Sequence, residues 1–201
     1  MTASPTTRGR PRGFDRDAAL DAALDLFWRH GYEATSISML TKAMGISPPS
    51  LYAAFGDKRK LFSEATARYA ETWGQYGTRP LAEEPTARAA IERMLREAAE
   101  GYTDPAHPPG CLVISAAVNV AEADAEVKQE LRGFREQAKA RIAQKIAEDV
   151  ADGVLPAGTD AVALGRFYAA VIQGMDTQAA DGATRAELDS IVDVALAAWP
   201  R

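Results

Sequence analysis

His30, His107 and the single cysteine, Cys111, are the side chains of this 201-residue sequence most apt to bond a substrate or a soft metal. Their spacing does not support catalysis. There is no Ser/His/Asp or Cys/His arrangement and no glycine-rich phosphate loop. His107 and Cys111 could pair on a metal, but two donors without a carboxylate cluster fall short of a zinc site, so no metal and no cofactor is expected. Cys111 follows Gly110 at the expected start of a helix, where a helix N-terminus lowers a thiol pKa and favours the thiolate. Against that chemistry, no lysine occurs after Lys145, so an activating cation would have to be an arginine. A small buried apolar residue is the commoner role for a lone cysteine.

A denser constellation lies near the N-terminus. "GISPPSLYAAFGDKRKLF", residues 45–62, sets serines, two prolines and a tyrosine just before Lys58, Arg59 and Lys60. Arg8, Arg10 and Arg12 surround one proline in "RGRPRG", an extended arm suited to the negative potential of a narrow minor groove. The bland reading of that arm is a disordered, solubilising tail. Residues 1–60 carry nine Lys/Arg against six Asp/Glu, and residues 61–201 carry fourteen against twenty-two, so a basic head sits on an acidic body although the net charge is −5.

These residues need elements to position them, and nearly all of the chain reads as helix. The length supports one large domain or two small ones sharing a core, and 47% hydrophobic content is that of a globular protein. No apolar run approaches the roughly 20 residues that span a bilayer, so no membrane association is expected. The basic N-terminus lacks the apolar core of a secretory signal, and a single cysteine suits a reducing cytoplasm. From Asp15 to His30, Leu20, Ala23, Leu24 and Phe27 share one helical face, and Gly31 stops the helix. Ser36 or Ser38 caps a short helix, "ISMLTKAM", ending at Gly45. Ser47 caps the next, with Pro48 and Pro49 in its first turn, where amides have no internal partner, so the prolines start a helix. Leu51 and Phe55 pack inward. Two short helices around a tight turn make a helix-turn-helix, the alternative being a plain hairpin inside a bundle. Further helices are expected over 58–76, 85–102, 111–122, 124–152, 160–180 and 184–198, separated by "GTRPLAEEP", "TDPAHPPG", "DGVLPAGT" and "ADGAT".

The stretch "ALDLFWRHGYEATSISMLTKAMGISPPSLYAAFGDKRKLFSEA" resembles the DNA-binding domain of TetR-family transcriptional regulators. Its first helix ends LF…GY, a T-S-led second helix follows, and then come a G-I-S turn, S-L-Y-x-x-F and a K-x-x-L. The resemblance implies an all-α fold, with an N-terminal three-helix DNA-binding domain and a C-terminal helical ligand-binding and dimerisation domain. The corresponding boundaries are a flexible basic arm at 1–13, the DNA-binding domain at 14–60 with its motif near 36–55, and the regulatory domain at 61–201. Many relatives have Lys-Gly in place of Pro48-Pro49, and an aromatic or His at Ala53 or Ala54. The SPPSLYAAF form resembles a recognised subgroup with fewer polar groups for reading base edges. The resemblance places Ser36, Ser38, Ser47, Tyr52 and Lys58 on phosphates, and Pro48, Pro49, Ser50 and Ala53 on bases, where apolar atoms meet thymine methyls. Tyr52 could equally be half-buried between helices. The GRP core of the arm resembles an AT-hook.

Beyond residue 60 the resemblance implies a homodimer through the last two helices. Leu188, Ile191, Val192, Ala195 and Trp199 form one stripe there, and Leu164, Phe167, Tyr168, Val171 and Met175 form another, unless both stripes only face their own core. Trp73, Tyr76, Tyr102, Cys111, Phe134, Tyr168 and Ile172 are candidates to line a ligand pocket, each alternatively simple core. A G-C-L stretch at Cys111 resembles a subset of such regulators in which the cysteine senses oxidants or electrophiles. The reading is therefore a non-enzymatic, homodimeric repressor on palindromic DNA, released by a small-molecule inducer. The alternatives are the same head triggered at Cys111 and a helical ligand-binding protein without DNA function.

Overall fold

The computed structural model describes residues 13–116 and 124–200, and every regular element among them is helical. Arg8, Arg10 and Arg12 lie outside the described residues. α1 (Arg16–Ala34) starts on the Asp15 carboxylate, which accepts from the amides of Asp17 and Ala18, and it breaks at Gly31, whose φ of 72° a side chain would strain. α2 (Ile37–Met44), α3 (Pro48–Phe55) and α4 (Lys58–Glu71) follow, capped by Ser36, Ser47 and Asp57. Phe62 meets Phe27 and Tyr32 edge to face at their centre, and Leu40, Leu51, Phe55 and Leu61 close the core around them.

α4 is shorter than its periodicity suggests. Thr72 leaves helical geometry at φ −115°, ψ −89°, and Trp73–Gly77 turns as a 3-10 segment. The Gly/Pro-rich stretch after it, read as a break, contains a further short helix, α5 (Arg79–Glu83), with Pro80 in its first turn. α6 (Ala87–Tyr102) is doubly capped, by Thr86 and by the buried Asp149, whose Oδ2 accepts from the Ala87 amide at 2.8 Å. The helix expected over 111–122 is described only as α7 (Leu112–Ser115); its remainder lies mostly outside the described residues. α8 (Ala125–Ala151), α9 (Ala161–Ala180) and α10 (Arg185–Ala197) complete the chain, the last with a reciprocal Thr184–Glu187 capping box. α8 and α9 approach closely where Gly165 lies against the backbone of Ala143, within 3.1 Å of where a Cβ would sit.

The two C-terminal stripes divide differently from expectation. Leu188, Val192, Ala195, Tyr168 and Met175 are buried against the protein's own core, because α6, α9 and α10 pack on one another. The outward large apolar residues of α9 and α10 are Val162, Phe167, 41% exposed, and Val194, 74% exposed, with Leu164, Val171, Ile191 and Trp199 half-buried between the two faces.

Candidate nucleic-acid interface and internal cavity

Gly45 closes α2 in the left-handed region (φ 65°, ψ 29°), and the amides of Gly45 and Ile46 return to the carbonyls of Lys42 and Thr41. That turn sets α3 across α2. Ser47 Oγ accepts from the Ser50 amide at 3.3 Å and bonds Ser50 Oγ at 2.9 Å. Arg16 holds the back of α3: its guanidinium lies over the Phe55 ring, donates to the Ala54 carbonyl and pairs with Glu64. With Leu51 and Phe55 buried, α3 presents Ser47, Pro48, Pro49, Tyr52 and Ala53 to solvent, Tyr52 being 47% exposed, with Ser50 half-buried among them. Ser36 and Ser38 are exposed at the start of α2 on the same head. Tyr52 is thus an outward side chain, not one wedged between helices. Lys58 is less free than its sequence suggests. Its ammonium lies 4.3 Å from the centroid of Tyr32 and 3.5 Å from the Glu33 carbonyl, and this partial burial lowers its pKa.

α4 joins this face to the interior. Arg68 pairs with Asp21 and Arg16 with Glu64, locking α4 along α1, while Tyr69 and Ala70 at its far end line a cavity of about 280 Å³. α6, α7, α8, α9 and the 3-10 segment supply the other walls, largely apolar through Met94, Val113, Ile114, Phe134, Ile142 and Ile172. One polar knot interrupts them. Tyr76 and Tyr102 hydroxyls bond at 2.9 Å, and Tyr69 and Cys111 line the same cavity. Burial pushes Tyr69, Tyr76 and Tyr102 well above the usual phenol range and raises Cys111 as well.

Of the residues proposed for a pocket, Tyr76, Tyr102, Cys111, Phe134 and Ile172 come together here, whereas Trp73 and Tyr168 do not. The helix break at Thr72 turns Trp73 outward, 4.6 Å from His107, which in turn stacks on Trp28. Tyr168 projects from the other side of α9 and donates to the Ala195 carbonyl of α10. The expectation of an acidified Cys111 is also corrected. It precedes a helix of one turn and its sulfur is buried, so desolvation outweighs any helix-terminal field. Its amide donates to the buried Asp176 carboxylate, which also accepts from Ser115 Oγ at 3.2 Å; burial lifts this carboxyl to about 6. Tyr69, Arg135, Arg141 and Gln173 line the cavity without having been singled out. Tyr69 stands seven residues, two helical turns, before Tyr76, a spacing that would have found it; the arginines offer no sequence signal apart from other helical charges.

Residues 19–65 match the family described as bacterial regulatory proteins of the tetR family, and residues 87–195 match the tetracyclin repressor-like C-terminal domain. The chain is 33% identical to the HTH-type transcriptional repressor ComR of Escherichia coli over 96% of this chain and 93% of that one. It is 40% identical to the E. coli repressor BdcR over 53% of this chain and 54% of BdcR. A cysteine mutant of the TetR family regulator CifR, solved with 26-bp operator DNA, superposes with a TM-score of 0.91 at 43% identity, covering 95% of this chain and all of that one. The chain belongs to the TetR family of transcriptional regulators. Its relatives regulate transcription, and it is a regulator, not an enzyme. The two family matches leave residues 66–86 between them, the end of α4 through α5. The cavity's first wall is therefore built where the TetR head ends and its C-terminal part begins.

Proposed function

We propose that this TetR-family regulator is a cytoplasmic homodimeric repressor, of the SPPSLYAAF subgroup, that binds a palindromic operator and leaves it when a small molecule enters the cavity. The observation that carries this reading is α4 itself: its first turn follows the reading helix α3, and its last turn is cavity wall. A ligand pressing on Tyr69 and Ala70 would tilt α4 and change the separation of two α3 helices in a dimer. ComR and BdcR are repressors, and CifR was captured on operator DNA, which supports the same role here.

On DNA, Ser36, Ser38, Ser47, Tyr52 and Lys58 hold phosphates, while Pro48, Pro49, Ser50 and Ala53 face the base edges. Gly13 lines a groove with Ser50 and Ala53, and Arg8, Arg10 and Arg12, which precede it in sequence, are assigned to the adjacent minor groove of the DNA. Dimerisation uses the outer faces of α9 and α10 around Phe167 and Val194. A hundredfold release needs about 2.7 kcal/mol of differential ligand affinity between the two states, an ordinary allosteric coupling.

The test fills the cavity. Ile172→Trp should leave operator affinity within about twofold of wild type and abolish release by an inducer found in a small-molecule screen. Release that survives the filled cavity would place the sensor elsewhere.

A further inference from the structure

The cavity's charge is unlike that of the part of the chain around it. Residues 61–201 hold twenty-two Asp/Glu against fourteen Lys/Arg, yet among the described residues the cavity lining contains no carboxylate and two arginines, Arg135 and Arg141. Every described arginine outside α8 and α9 is ion-paired, several of them more than once. Among the described residues, Arg135 and Arg141 have no carboxylate within ion-pairing distance. Arg135 is partly buried, and its NH1 donates to the Val113 carbonyl at 3.2 Å. Burial lowers the Arg135 pKa more than the charge of Glu136, which acts from beyond ion-pairing distance, raises it, and a partly desolvated guanidinium without a close ion pair gains when an anion arrives. The hydroxyls of Tyr69, Tyr76 and Tyr102 and the Cys111 thiol add donors that burial keeps protonated. Arg135 reaches the carbonyl of Val113, two residues beyond Cys111, and it lines the same cavity as these donors.

Resting on the reading of this cavity as the inducer site, we propose that it takes a small organic monoanion, an apolar body ending in a carboxylate held by Arg135 and the tyrosine hydroxyls. Met94, Phe134, Ile142 and Ile172 cover the apolar body, and Arg141 supplies a second positive charge on the same wall. A neutral isostere would fill the same space but leave Arg135 uncompensated.

Paired probes test this with the full-length protein on its operator duplex at constant ionic strength: phenylacetate against phenylacetamide, and octanoate against octanamide. Calorimetry should show at least one acid binding roughly tenfold or more tightly than its amide, with the same preference in operator release. Arg135→Gln should erase that preference while leaving amide binding unchanged, and Arg135→Lys should keep most of it. Equal or tighter binding of the amides, no binding of either acid, or an acid preference that survives Arg135→Gln would overturn the proposal. Failure of the inducer-site reading looks different: acid and amide would both bind undiminished in Ile172→Trp.

Discussion

Asp176 is the residue whose environment departs furthest from what its type suggests. It is an acid on α9, nearly enclosed, holding the Cys111 amide and the Ser115 hydroxyl, with no ion pair to a cation among the described residues. Its folded pKa of about 6 exceeds its ordinary 3.8, so between these values folding takes up a proton and stability falls as pH rises. Above pH 6 the ionised carboxylate costs the fold on the order of 3 kcal/mol relative to its protonated form. Asp176→Asn keeps an acceptor oxygen and removes the charge. Its thermal stability relative to wild type should therefore rise steadily from pH 4 to 7, measured by calorimetry at each pH; a difference that stays flat across that window would contradict the assigned environment. Nothing in "GMDTQAA" distinguishes this aspartate from a solvated one, because its partners lie 61 and 65 residues away. Reading α3 was easier. Its serine cap, paired prolines and inward Leu51 and Phe55 are local, and local rules are what a sequence displays.

At the scale of elements, the helices were legible where one amphipathic face persists and a nearby serine or threonine side chain caps the N-terminus, as in α2, α3, α6 and α10. They were misread where tertiary packing overrides propensity. The Thr72 break has no proline to announce it, and Gly74 fits against Tyr69 where a Cβ would lie 3.0 Å from the ring. That close approach, invisible in the sequence, turns Trp73 out of the cavity and leaves Tyr76 in it. Gly110 is a second such position. Its φ is +76°, and an added Cβ would meet Asp176 Oδ1 at 2.5 Å. Gly110→Ala should destabilise the protein by roughly 1–3 kcal/mol through left-handed strain plus the clash, read as a lowered urea midpoint at unchanged m-value. An unchanged midpoint would mean that the Cys111 turn is not held as described.

For the whole molecule, the question is which apolar surface is core and which is interface. Spacing placed Leu188, Val192, Phe167 and Tyr168 on two stripes but could not say which side another helix of the same chain already covers. Because α6 occupies the inner side, the predicted effects separate. Val194→Asp, on a residue 74% exposed, should give a folded monomer with an unshifted far-ultraviolet spectrum that binds the palindrome weakly. Leu188→Asp, fully buried, should unfold the chain instead. Sedimentation showing an intact dimer for Val194→Asp would move the interface away from these helices. The asymmetry of charge was, by contrast, legible from the first count of residues. A basic head on an acidic body survives any rearrangement of the helices, and it underlies the account's central claim that this head reads DNA. The direct measurement is the affinity of the purified protein for duplex from upstream of its own coding region, by fluorescence anisotropy between about 50 and 200 mM salt. Several phosphate contacts per dimer predict a linear fall of log K with log salt, a loss of roughly a hundredfold or more over that range, and a dimer footprint on a palindrome. Binding that is absent, or that does not change with salt, would contradict the account.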